Sequence, residues 1–170
     1  WILEERPNAT MTIIQVDEWD DQNGKVQIFF REGFDGGADM LTDSQVLRFI
    51  EETQRESCYS QTFAEGDRKC SDFKVVDSNV FYTNDNSKVY FSKQTYRLGF
   101  ENYLPGQEHP FVKLNGFIFE DDNAWVIISE SFERVFDVNH SDKIIHMMKS
   151  FSLTSTASAA IPEQQTQQQT

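Results

Sequence analysis

Four carboxylates, two amides and a glycine crowd the stretch Asp17-Glu-Trp-Asp-Asp-Gln-Asn-Gly-Lys25. Oxygen donors at that density are the raw material of a calcium loop. An EF-hand needs Asp first, Asp or Asn third and fifth, Gly sixth and Glu twelfth. With Gly24 in sixth place, Asn23 and Asp21 fit the fifth and third. Trp19 then stands first and Phe30 last, and neither offers a side-chain oxygen. The EF-hand fails at both ends. A hairpin fits better. Asn23-Gly24 supplies the positive φ angles of a type I′ turn. Thr12, Ile14 and Val16 alternate with their neighbours before it, and Val26, Ile28 and Phe30 after it. A second acidic tip follows at Asp121-Asp122. If Asp20, Asp21, Asp121 and Asp122 meet at one end of a sheet, a divalent cation such as Ca2+ would relieve their repulsion through oxygen ligands. If they do not meet, each tip is a solvated turn. The sequence does not fix the strand order, so both readings stand.

Other chemistry is sparse. His109 precedes a proline in a turn-rich segment, while His140 and His146 sit at and on a predicted helix. Six residues on a helix separate the last two onto different faces, whereas zinc-binding pairs use a spacing of four. No serine or cysteine stands in a nucleophile motif such as GxSxG. The Gly-rich stretch 32–40, EGFDGGADM, lacks the phosphate-binding patterns and has no lysine. Distant carboxylates can converge into a catalytic pair, but 28 acids give no basis for choosing two. The sequence therefore predicts no catalytic residues, no cofactor and no enzyme.

Cys58 and Cys70 bracket a polar stretch between a predicted helix and a predicted strand. A disulfide there would close a short loop and stabilise the fold by about 2–3 kcal/mol. Such bonds persist outside the reducing cytosol. The alternative is two unrelated free thiols. A CxxC redox or zinc site is excluded by the spacing. Two glycosylation sequons begin at Asn8 and Asn139, compatible with an exterior location, where roughly one is expected by chance.

Charge narrows the partners. The formal net charge is −13, and the basic residues do not cluster. Nucleic acid and anionic lipid both call for a basic face, so neither is expected. A basic protein partner is compatible. No apolar run approaches the roughly 20 residues of a membrane helix. The chain opens on Trp1 with no initiator Met, so it reads as a processed or trimmed product. The lack of a visible signal peptide is then no argument for the cytoplasm.

The elements that must position these residues follow from periodicity. The 170 residues suit one domain with a proper core, and 15 phenylalanines predict that aromatic packing dominates it. Strands are predicted over 10–18 and 25–31. A helix follows over 43–57, with Thr42 as N-cap and Gln45 completing a capping box. Further strands are expected over 72–76, 79–83, 88–98, 111–119 and 124–131. A last helix places Ile144, Ile145, Met148 and Phe151 on one face. From Thr154 the composition turns to Ser, Thr, Ala and Gln, as in a disordered tail or linker. The prediction is an α+β domain over 1–153, an antiparallel β-sheet covered by two or more helices, and a tail over 154–170.

The closing hairpin LNGFIFEDDNAWVIISES and the helix HSDKIIHMMKSFSL resemble the end of the PsbP-like family, with Ser150-Phe151 in place of the family's Ser-Phe pair. The helix 43–57 followed by SDFKVVDSN is similar to its helix-to-strand step. Trp1 resembles the tryptophan that ends the family's opening strand and turn, which would leave this chain without its first strand. The resemblance implies an α/β/α sandwich of the kind found in a photosystem II extrinsic subunit and in secreted or surface-attached archaeal-type relatives. It brings no shared catalytic constellation. Taken together, these readings predict a non-catalytic extracytoplasmic interaction module, an accessory subunit of a cell-surface or membrane-associated assembly. A cation or small-ligand binder at the acidic hairpin turns is the alternative.

Overall fold

The computed structural model describes residues 2–4, 11–14, 25–33, 40–60, 69–99, 108–120, 123–136 and 138–152. Seven strands form one antiparallel sheet. They are β1 (Ile2–Glu4), β2 (Met11–Ile14), β3 (Lys25–Arg31), β4 (Lys69–Tyr82), β5 (Lys88–Gly99), β6 (His109–Glu120) and β7 (Asn123–Phe132). Helix α1 (Asp43–Ser60) lies between β3 and β4, and α2 (Val138–Ser150) follows β7. The spatial order is β1-β2-β3-β7-β6-β5-β4. Strands β4 to β7 form a meander, and β3 joins it beside β7.

Side chains alternate across each strand, and each face of the sheet has its own helix. Val89, Phe91, Leu114, Ile118 and Ile127 pack with Ile144 and Met148 of α2. The residues between them, Tyr90, Phe117 and Val126, pack with Val46 and Ile50 of α1. The architecture is therefore α+β with a helix layer on either side of an antiparallel sheet. Gly116 marks a close approach of α2 to the sheet. A Cβ there would lie 2.9 Å from Met148 Sδ and 3.2 Å from Val89 Cγ1.

Local sequence signals account for the ends of the elements. Thr42 and Gln45 close the predicted capping box: Thr42 N donates to Gln45 Oε1 at 2.9 Å, and Gln45 N donates to Thr42 Oγ1 at 3.4 Å. Asp43 then ties α1 to the sheet, accepting from Lys88 Nζ at 2.9 Å and from Tyr90 Oη at 3.0 Å. The hydrogen bond from Lys88 is the main reason the Asp43 carboxyl lies below its usual range. The same bond holds the Lys88 ammonium above its own. The β4–β5 turn closes with Thr83 N donating to Ser87 O at 2.9 Å. Asn84 N donates to Lys149 O at 2.7 Å and so fastens that turn to the end of α2.

Three expectations change. The segments 72–76 and 79–83 are one strand, β4, whose irregularities between Ser71 and Lys74 and between Val75 and Asp77 absorb the break in pattern. A strand not anticipated, β1, pairs Ile2 with Ile14. The third is the register implied by a two-residue turn at Asn23-Gly24, residues that themselves lie outside the described ones. It would pair Gln22 with Lys25 and set Asp21 opposite Val26, which is 1% exposed. Instead Ile13 stands opposite Val26 and Met11 opposite Ile28. A carboxylate on that buried face would be far costlier than an apolar side chain, so the hairpin keeps its partners and shifts its register.

Candidate functional site

Helix α1 turns a stripe at intervals of four toward the sheet: Val46, Ile50, Gln54 and Cys58. The first two and Cys58 are buried. Gln54 is a polar residue in an apolar series. Beneath it, the sheet is polar as well. Gln94 on β5, Lys113 on β6 and Glu130 on β7 stand opposite one another in register. The next row carries Ser92 and Asn115, and both are buried.

A cavity of about 240 Å³ opens between this row and the last turns of α1. Gln54, Ser57, Gln94, Lys113 and Glu130 supply its polar lining, while Phe73, Tyr96 and Leu98 supply an apolar end. The disulfide closes its edge: Cys58 in α1 and Cys70 in β4 are joined, with Cα atoms 5.2 Å apart. The predicted pairing is thus present, and it fixes the end of α1 over the edge strand.

Lys113 is the chemical centre. Its Nζ donates to Gln54 Oε1 at 3.2 Å. Burial pushes its ammonium below the ordinary value of 10.5, and the charge of Glu130 pulls the other way without prevailing. A desolvated lysine has two uses: attack on a carbonyl when neutral, or pairing with an anion when charged. Glu130 on the neighbouring strand favours the charged form, so the arrangement is better suited to binding. Gln94 is 1% exposed and donates from Nε2 to Ser92 Oγ at 3.0 Å. Asn115 is wholly buried, and neither its Nδ2 nor its Oδ1 has a hydrogen-bond partner among the described residues.

A second recess, of about 190 Å³, lies on the other flank of α1. It is apolar, with Phe29, Phe49, Ile50, Phe117 and Ile128 in its wall. Arg31 lies at this recess, its guanidinium carbon 5.5 Å from the centre of the Phe29 ring. Gln54 lines both recesses. A third, of about 400 Å³, runs beside α2 between Val26, Ile28, Ile127, Met147 and Phe151, and no charged residue lines it.

Asp20, Asp21, Asp121 and Asp122 lie outside the described residues, as do Asn8 and the tail from 154. The strand ends that flank the two acidic segments are at opposite ends of the sheet. Lys25 pairs with Glu130, late in β7, whereas Asn123 opens β7 beside Ala124, the partner of Arg31. Among the described residues no group of three or more His, Cys, Asp or Glu could hold a metal ion. Asn139 lies in the first turn of α2 and its sequon Ser141 is buried, which is not the exposed loop of a typical acceptor. The three histidines serve separate places. His109 packs on Phe132 and His140 on Phe136, while His146 is exposed. Apart from Cys58 and Cys70, the cavity residues were not singled out from the sequence. Their signal was a break in pattern: Lys113 and Asn115 stand between Phe111 and Phe117 on one face of a strand, and Gln54 between Ile50 and Cys58 on one face of a helix.

No protein-family model and no curated protein matches the chain. Among solved structures, a Pseudomonas aeruginosa protein of unknown function is similar at 11% identity. The match covers 91% of this chain and 98% of that one, with a TM-score of 0.46. A likeness at that level says nothing of function. The intramolecular disulfide is compatible with an extracellular setting. Among the described residues no helix is long and apolar enough to cross a membrane.

Proposed function

We propose that the chain is a non-catalytic extracytoplasmic interaction module, an accessory or structural subunit of a cell-surface or membrane-associated assembly. The observation that carries this reading is the apolar recess between α1 and β3. Phe49 stands 38% exposed at its edge, where a monomer gains little from a large aromatic ring. An aliphatic or aromatic side chain of a protein partner fits such a recess, as anchors do at the centre of interfaces. The net charge of −13 favours a basic partner by steering its approach. The disulfide supports a place outside the reducing cytosol. The resemblance of the closing hairpin and helix to PsbP-like domains agrees with an accessory role.

The test is affinity isolation of the tagged chain from native cell envelopes, beside a Phe49→Asp variant of equal melting temperature. The expected result is a stoichiometric basic partner that the variant loses. Recovery of the chain alone, or of the same partner with both proteins, would remove the recess from the account.

A further inference from the structure

The polar cavity asks for a different occupant from the apolar recess. Its volume of about 240 Å³ falls below the ~300–1,000 Å³ of sites for drug-sized ligands. The enclosed space suits an occupant about the size of a single amino acid. The lining carries one cation and one anion, Lys113 and Glu130, held on adjacent strands in direct register. A simple anion would meet Lys113 and be repelled by Glu130. A simple amine would meet the reverse. A molecule with both charges on neighbouring atoms satisfies the two together and adds no net charge to a partly desolvated space. One of the three Lys113 donors goes to Gln54. The apolar end, at Phe73, Tyr96 and Leu98, suits a short hydrocarbon side chain.

We propose that this cavity binds a small zwitterion, an α-amino acid with a short aliphatic side chain, its carboxylate on Lys113 and its ammonium on Glu130. The site shares only the Gln54 wall with the Phe49 recess and has its own charged residues, so either reading can fail alone.

Calorimetry on the full, oxidised chain tests this with glycine, L-alanine, L-valine and L-leucine. Each is run beside its two half-analogues, the carboxylic acid without the amine and the amine without the carboxylate; for leucine these are 4-methylpentanoate and 3-methylbutylamine. At least one amino acid should bind about tenfold or more tightly than either of its halves, as expected when a charge-assisted contact is lost. Lys113→Met and Glu130→Gln should each weaken it by a similar factor. Two variants and the analogue series keep the outcome readable should one variant lose its circular-dichroism spectrum. Absence of binding by all four amino acids overturns the proposal. So does a half-analogue that binds as tightly as its parent, or wild-type affinity in both folded variants.

Discussion

The two faces of the sheet are built on different terms. Under α2 the contact is apolar, and it is close where the helix meets β5 and β6, with an apolar recess of about 400 Å³ on the β3 side. Ile144, Met148, Leu114 and Ile118 are at most 1% exposed, and Gly116 makes room for the Met148 thioether. The buried polar groups of the strands on that face are hydroxyls, on Ser129 and Ser131. Under α1 the apolar contact covers only the first half of the helix, at Val46 and Ile50. Its second half stands over an amide, an ammonium and a carboxylate, and a disulfide closes the edge. Close packing is easily damaged by removing atoms. A polar layer with a cavity has less packing to lose, and a covalent bond there does part of what side-chain contact does on the other face. One face closes over β5 and β6 by apolar contact; the other leaves a polar cavity under the helix.

Four perturbations sharpen or break this contrast, and the largest belongs to α2. Met148→Ala should destabilise the fold by about 2–5 kcal/mol, the range for truncating a fully buried large side chain. Urea denaturation measures it, and a loss below 1 kcal/mol would mean that the α2 face is not close-packed. Next comes the covalent edge. Cys58→Ala/Cys70→Ala should lose about 3 kcal/mol, in line with a bond closing a loop of 12 residues. Reductant should then lower the melting temperature of the wild type and leave the double variant unmoved.

Smaller effects are expected at the start of α1. Thr42→Ala removes one half of the capping box and should cost about 1 kcal/mol. Thermal unfolding would read it as a shift of a few degrees. Smallest at neutral pH is Lys113→Met, which replaces a desolvated charge by a side chain of similar length and should leave stability within about 1 kcal/mol of wild type. Its signature lies in pH. Folded Lys113 releases its proton below 10.5, the unfolded value. Below the folded pKa both states are charged and the burial penalty is fully present. Between the two values the unfolded chain binds more protons, so this contribution to stability rises with pH until it levels off at about 10.5. The variant should lack that alkaline rise relative to wild type, and parallel curves for the two proteins would place Lys113 in water.

Much of the frame was legible because it rests on local pattern. The Thr42–Gln45 box, the periodicity of Ile144 and Met148, and the turn between Tyr82 and Lys88 are each decided within a few residues. The register of β2 against β3 was not, because the turn signal at Asn23-Gly24 competes with a distant constraint. Val26 lies under α2, and only the tertiary core forbids a carboxylate beside it. The cavity was hidden for a related reason. Lys113, Gln94, Glu130 and Gln54 come from four elements, and each alone reads as an ordinary polar residue on a partly exposed surface. Their meaning arises when strand register and the helix stripe bring them to one place. Cys58 and Cys70 were legible because two cysteines leave one possible bond.

The junction of β3 with β7 also sets an order in time. Strands β4 to β7 pair as sequence neighbours through connections of at most nine residues, so that meander can form early. Lys25 must find Glu130 across most of the chain, and the loop entropy of that search is not offset until the later strand is in place. The unit of β1, β2 and β3 should therefore be the last to dock and the first to open. Amide hydrogens of β3 should exchange through a partial opening, while those of β5 and β6 exchange only when the whole domain unfolds.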